Sequence, residues 1–330
     1  FGMRASAVNF SDEELVRAVE TAHASGVRVY VTCNTLPRED ELTELPEYLG
    51  FLQEAGADAL IIADLGVLEL AKKYAPRMKK HVSTQLGVIN SATANALYAM
   101  GADTVVLARE TPIEDIKKIR ENTPEELRIE AFVHGAMCMS YSGRCLISNF
   151  MADRSANKGK CAHCCRWHYK MHLRLKDGTI KELEINQDNA KAFEFLLEEE
   201  FRPGEYYEIV EDEHGGYLLN SKDMCLMPRL NDILGIGMDS LKVEGRNKTE
   251  YYAGTVARAY RQAIDDYYAN PQEWDYKKYM DDLYTLQNRG YCLGFHDGKL
   301  TNVSQNYEYT RTLGEWLFAG SIVEWQGDDA

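Results

Sequence analysis

Eight cysteines are spread over 330 residues, and five of them, Cys138, Cys145, Cys161, Cys164 and Cys165, fall within 28 positions. Thiolates are soft ligands, and four of them gathered by a turn and a loop suit a tetrahedral Zn²⁺ or a [4Fe–4S] cluster. The small-residue turn MSYSG lies between Cys138 and Cys145, and a polar loop leads on to Cys161 and Cys165, giving C-x6-C-x15-C-x3-C. That spacing matches neither the paired C-x2-C of zinc ribbons nor the C-x2-C-x2-C of ferredoxins, so it points to metal ligation without selecting the metal. Buried, inert thiols are the alternative, since cysteine is among the most buried residue types. The neighbouring Lys158, Lys160 and Arg166 weigh against it, because cations favour thiolate over thiol. Of the other cysteines, Cys33 and Cys292 read as packing residues, Cys164 as pointing away between two ligands, and Cys225 as a reserve ligand.

The same region is basic. From Arg154 to Lys176 there are seven Lys/Arg, three His and no acid, in a chain with a net charge of −15. A solvated loop explains most charge runs, yet these cations repel one another unless an anion meets them. Trp167 and Tyr169 add stacking faces. A local basic patch on an acidic protein captures RNA because phosphate contacts act within a Debye length of about 8 Å. This makes Lys158, Lys160, Arg166 and Trp167 candidate RNA contacts.

Positioning these groups requires a scaffold, and the chain alternates two patterns. Short apolar runs occur at 27–33, 57–64, 79–85, 102–109, 127–135 and 239–245, with amphipathic helical stretches at 11–26, 44–56, 65–75, 91–101 and 112–123. Ser or Pro opens several of the helices and Gly closes them. Apolar strands separated by single helices predict parallel strands buried on both faces. A doubly wound sheet and a barrel both fit; no GxGxxG supports a dinucleotide site. The predicted fold is α/β, an incomplete or irregular (β/α) TIM-like barrel over residues 1–250. It carries the cysteine-rich, basic insertion 134–176 and a helical and irregular extension, 251–330, leading into a truncated small β-domain. A strand and helix are expected upstream of Phe1. With 45% hydrophobic residues, no apolar run of membrane-spanning length and no signal peptide, the chain reads as cytoplasmic.

The barrel is preferred because every strand ends in a polar or reactive group, as barrel active sites require. Arg109 and Arg246 are candidate carboxylate or phosphate clamps, or else partners in ion pairs with Glu110 or Glu244. His134 reads as an acid, base or hydrogen-bond donor to a ligand, or as a satisfied core histidine. Glu244 completes the candidate catalytic set, and Asn34, Asp64 and Gln85 are candidate base-edge readers. These strand ends are expected to face one cavity beside the cysteines.

HGAMCMSYSGRCLIS, KGKCAHCCRWHY, LLNSKDMC and DSLKVEGR, in this order, resemble the collagenase-like "unclassified" peptidase family, through essentially the whole chain. The AMCMSYSGRC form and the NKGKC…CRW continuation are similar to its tRNA-hydroxylating branch, which makes 5-hydroxyuridine at the wobble position. Other relatives hydroxylate 23S ribosomal RNA or act in oxygen-independent ubiquinone synthesis. The resemblance implies an oxygen-independent hydroxylase acting on tRNA, with prephenate as a required small carboxylate. It also implies a [4Fe–4S] cluster on Cys138, Cys145 and Cys161, with Cys165 or, less well matched, Cys225 as fourth ligand; zinc is the alternative occupant. Family members often carry a protease label, but the chain has no HExxH and no GxSxG. A nucleophile pair of His134 with Cys138 or Cys145 is the peptidase alternative.

Overall fold

The computed structural model describes residues 9–138, 140–145, 147–152, 154, 156, 160–164, 221–245 and 248–298. It also describes the backbone of six short strands between 172 and 217. The six apolar runs become β1 (Tyr30–Cys33), β2 (Ala59–Ile62), β3 (Lys79–Val82), β4 (Thr104–Val106), β5 (Arg128–Gly135) and β13 (Ser240–Val243). The helical stretches become α1 (Asp12–Ala24), α2 (Leu45–Glu54), α3 (Leu65–Tyr74), α4 (Ser91–Ala99) and α5 (Ile113–Glu121). Local chemistry sets several of their ends. Ser11 and Glu14 form a reciprocal capping box on α1, and the side chains of Asp64 and Asn90 accept from the first turns of α3 and α4.

β1 to β5 pair in sequence order and all in parallel, and β13 adds in parallel to β5. Sequential order without a reversal is the winding of a (β/α) unit repeated in one direction, not that of a doubly wound sheet. Helices pack on it through apolar stripes. Leu45, Leu49 and Leu52 of α2, spaced i, i+4, i+7, are almost fully buried with Leu60 and Leu68, and each such leucine contributes roughly 1.5–3 kcal/mol of burial. Val82, Val105, Ile116, Ile119 and Ile129 form the next stretch of core.

The expected parallel strands are present, but among the described residues the barrel itself is not, and one strand departs from parallel pairing. Among the described residues the sheet is open: β1 pairs with β2, and β13 pairs with β5. After β5 the chain leaves through the cysteine segment and α6 (Ile147–Ala152). Three antiparallel strand pairs follow, β6 (His172–Arg174) with β7 (Ile180–Glu182), β8 (Leu196–Glu198) with β9 (Tyr206–Glu208), and β10 (Val210–Asp212) with β11 (Gly215–Tyr217). The chain returns as β12 (Asp223–Cys225), which runs antiparallel against the end of β5. β14 (Tyr291–Cys292) then pairs with β12 in parallel. A strand that returns through antiparallel strand pairs rather than a single β-α unit need not run parallel.

Packing also runs across position 250. α7 (Leu230–Ile236), α8 (Glu250–Ala269) and α9 (Lys277–Tyr284) bury Ile233, Val256, Ala259, Tyr260 and Leu283 in one cluster with Val133 of β5 and Met224 of β12. No helix of the described residues is long and apolar enough to cross a membrane.

Candidate functional site

The carboxyl ends of the strands open onto a cavity of about 500 Å³. Asn34, one residue past β1, reaches it and donates from Nδ2 to Ser83 Oγ at 3.3 Å. Gln85, past β3, lines the wall beside it. Arg109, past β4, donates from Nη2 to Glu244 Oε2 at 2.8 Å, and its guanidinium lies 3.7 Å over the Phe132 ring. Burial draws the Arg109 pKa down, opposed by Glu244 and Glu110, while Nε has no hydrogen-bond partner among the described residues. A nearly buried guanidinium held by one carboxylate and an aromatic face keeps donors in reserve for an anion. Lys242, Lys248 and Arg289 line the same cavity.

The cysteine segment lies over this frame. β5 ends at Gly135, with φ +133°, where an added Cβ would sit 2.6 Å from Glu244 Cβ. Only glycine lets β5 and the end of β13 come this close. Seven residues on, Ser142 donates from both its amide and its hydroxyl to the two carboxylate oxygens of Glu110, at 2.8 Å each. The turn closes with Arg144 N donating to Tyr141 O, and Gly143, at φ +78°, lies so close to Gln85 that a Cβ would overlap the Gln85 carbonyl. Farther along, buried Ser148 donates to Arg154 O at 2.7 Å and accepts from Ala162 N at 2.9 Å.

Cys138, Cys145 and Cys161 all line the cavity, and so does Cys164, which is buried and does not point away as expected. The amide of His163 donates to Cys161 Sγ at 3.4 Å, and His163 itself has φ +58°, a turn that aims its N–H back at the sulfur. Among the described residues no three His, Cys, Asp or Glu are grouped to hold a metal ion, and Cys165 lies outside those residues. Cys225 is elsewhere. It is buried on β12 with its sulfur 3.8 Å from the Tyr260 hydroxyl, and burial pushes its thiol up to about 11. It does not line the cavity that Cys138, Cys145 and Cys161 share.

Four of the predicted strand-end residues, Asn34, Gln85, Arg109 and Glu244, share the cavity; Asp64 and His134 do not line it. Asp64 is spent as the cap of α3, accepting from Val67 N at 3.0 Å. His134 is fully buried, with the rings of Tyr252, Tyr260 and Tyr291 centred 5.9, 5.6 and 5.4 Å from its own. Tyr260 donates its hydroxyl proton to Val133 O at 2.9 Å, so the 3.5 Å bond to His134 requires the proton on Nδ1. Burial lowers the His134 pKa to about 4, which keeps the ring neutral, and Nε2 has no partner among the described residues. Lys160 is exposed and lends its backbone carbonyl to Arg154 Nε at 3.0 Å. Arg246, Lys158, Arg166 and Trp167 lie outside the described residues.

Sequence reasoning missed the clamp of Glu110 on Ser142 and the two close-approach glycines. The signals were the S-Y-S-G turn between two cysteines and the V-H-G and V-E-G strand ends, which fit packed strand ends and a pinned turn.

The chain is similar to known proteins along most of its length. The chain is 37% identical over 345 residues to tRNA hydroxylation protein P of Escherichia coli K12, covering 99% of this chain and 75% of that protein. It is 32% identical over 329 residues to tRNA hydroxylation protein P1 of Bacillus subtilis 168, covering 99% and 71%. With the 23S rRNA 5-hydroxycytidine C2501 synthase of Escherichia coli K12 it shares 33% identity over 265 residues, covering 80% of this chain and 35% of that enzyme. The model of peptidase family U32 matches residues 1–306, a span that takes in the whole strand-end frame and every cysteine over it, and the chain belongs to that family.

Proposed function

We propose that this chain is an RNA hydroxylase whose substrate is tRNA and whose product is 5-hydroxyuridine at the wobble position. The observation that carries this reading is one cavity lined by four cysteines and by the cations Arg109, Arg144, Lys242, Lys248 and Arg289, against the carboxylates Glu110 and Glu244. Lys242 is paired with Glu130, and Lys248 and Arg289 with Asp223, so these cations are partly compensated. The wall still offers guanidinium and ammonium donors to an anionic substrate, and the relatives that hydroxylate tRNA and rRNA support RNA as that substrate. A tRNA substrate implies the cytoplasm. The sequential winding of β1 to β5 supports an incomplete (β/α) barrel as the scaffold.

The chemistry of the donor set, several thiols on one cavity wall, suits a thiolate-bound iron–sulfur cluster. Cys138, Cys145 and Cys161 would hold it together with Cys165, and the His163 N–H aimed at Cys161 Sγ favours the charged sulfur that ligation needs. Such a cluster supplies one-electron redox chemistry when bound. Zinc suits the same donors and is the alternative occupant. The protein's own groups bind and orient. Arg109, stacked on Phe132, takes a phosphate or a small carboxylate such as prephenate, and Asn34 and Gln85 offer amide donors and acceptors to a base edge.

The peptidase reading is weaker, because His134, the base it needs beside a thiol, is sealed in its tyrosine cage. Anaerobic purification with iron and sulfide assays, and mass spectrometry of tRNA nucleosides from cells carrying the chain as sole source of the activity, test the proposal. Brown protein is expected, with Cys138→Ser, Cys145→Ser and Cys161→Ser each losing both iron and 5-hydroxyuridine. Colourless, iron-free protein that leaves tRNA unmodified and cleaves peptides would overturn it.

A further inference from the structure

Beside the cavity mouth the surface is apolar where a folded chain ordinarily buries such groups. Phe150 is 89% exposed, Met151 42%, Ile147 36% and Tyr141 43%. Ile147, Phe150 and Met151 are spaced i, i+3, i+4 on α6 and so share one helix face. The buried Ser148, tied to Arg154 O and Ala162 N, anchors the flank beside this face to the protein. Tyr141 and Ile147 also line the cavity, so the face is continuous with its mouth. Exposed Arg144 lines the cavity too, and exposed Arg154, whose carbonyl accepts from Ser148 of this helix, donates from Nε to the carbonyl of exposed Lys160. From Tyr141 to Cys164 the sequence holds four Lys/Arg and one acid, in a chain that is otherwise strongly acidic.

Aromatic rings flanked by cations match the two surfaces of a single-stranded nucleic acid, the base face and the phosphate. We infer that the rim formed by Tyr141, Ile147 and Phe150, with Arg144, is a stacking platform for the unpaired nucleotides that flank the target base of an RNA loop. Stacking the flanking bases outside the cavity holds the loop open while one base enters beside Asn34 and Gln85, and an already unpaired loop lowers the cost of that entry. This inference rests on the RNA reading proposed above. It adds residues outside the basic run 154–176 and a preference for unpaired over paired RNA.

The test uses the full chain and a fluorescein-labelled RNA stem-loop, with a fully paired duplex of the same stem as control, followed by fluorescence anisotropy at several salt concentrations. Phe150→Ala is expected to weaken stem-loop binding roughly 5- to 100-fold, the range for losing one stacked base. Duplex binding and the melting temperature should stay unchanged, because so exposed a ring supports little of the fold. Phe150→Trp should restore stem-loop affinity, whereas Phe150→Leu should not, since leucine keeps apolar area without a stacking face. Arg144→Ala should lower the salt slope by about one. Wild-type affinity in Phe150→Ala and Tyr141→Ala overturns the platform while leaving the RNA reading intact. Restoration by leucine as complete as by tryptophan overturns stacking. Loss of self-association in Phe150→Ala, read by sedimentation with RNA binding unchanged, assigns the face to a second copy of the chain and overturns the inference. If the wild-type protein binds neither RNA, the RNA reading itself fails and the platform with it.

Discussion

The strand-end frame and the cysteine segment above it are built in opposite ways. The frame side chains Asn34, Gln85, Arg109 and Glu244 stand on strands whose interiors, such as Ile62, Val82, Val106 and Val133, are almost fully buried. The cysteine segment exposes Cys138, Tyr141 and Phe150 and is moored by a few polar tethers: Ser142 on Glu110, Gly143 against Gln85, and Ser148 to Arg154 and Ala162. Burial makes the frame self-sufficient. The segment's described tethers are few and polar, and the proposed thiolate ligation, worth on the order of 10 kcal/mol in small metal sites, would exceed them.

Acid tests the frame side of this contrast most strongly. His134 and His296 are buried with pKa values lowered by burial to about 4, against 6.5 for the free group. Between those values the unfolded chain takes up protons that the folded chain refuses, so stability is lost as pH falls from 6.5 towards 4. The loss is on the order of 3 kcal/mol per histidine. Urea unfolding at pH 7 and pH 5 should show it, and His134→Gln should remove part of the slope. An unchanged slope in that variant would show that His134 is not held neutral.

Backbone substitution comes next. Gly135→Ala forces a side chain against Glu244 at φ +133° and should cost about 3 kcal/mol of global stability. Gly143→Ala meets a worse clash, yet it should leave global unfolding within about 1 kcal/mol, because the loop carries little of the core. Its effect should instead appear as lost iron after anaerobic reconstitution. Equal global destabilisation by both variants would erase the distinction between frame and segment.

Glu110→Gln should loosen the clamp by about 1–2 kcal/mol, since two bonds to a charged acceptor become bonds to a neutral amide. Hydrogen exchange should quicken in residues 140–145 and not in β5. The smallest effect belongs to Asp64→Ala, which removes the α3 cap for about 1 kcal/mol and should leave hydroxylation untouched, because Asp64 does not line the cavity. A large loss of activity in Asp64→Ala would restore it to the site.

Much of the scaffold is legible in the chain's local patterns. The run ADALIIAD forms β2, LRIEAFVHG forms β5, and the Ser11–Glu14 spacing announces the capping box of α1, because apolar periodicity and capping depend on neighbours a few residues away. The same locality marks the cysteines as a group and places Cys138, Cys145 and Cys161 in one segment. β12 and β14 are not legible in this way. They are three and two residues long, too short for a periodic signal, and pairing with β5 and with each other is what makes them strands.

Sequence by itself determined residue type and local direction: which runs form strands, which helices cap, where thiols and cations are dense. Only tertiary structure decided what each polar strand end does. Arg109 meets Glu244 across 135 positions, whereas Asp64 turns to its own helix and His134 is enclosed by tyrosines from α8 and β14. A polar group at the end of a buried strand can enter a cavity, cap a helix or sink into the core. The choice depends on which distant backbone arrives beside it, and neither residue type nor spacing along the chain carries that information.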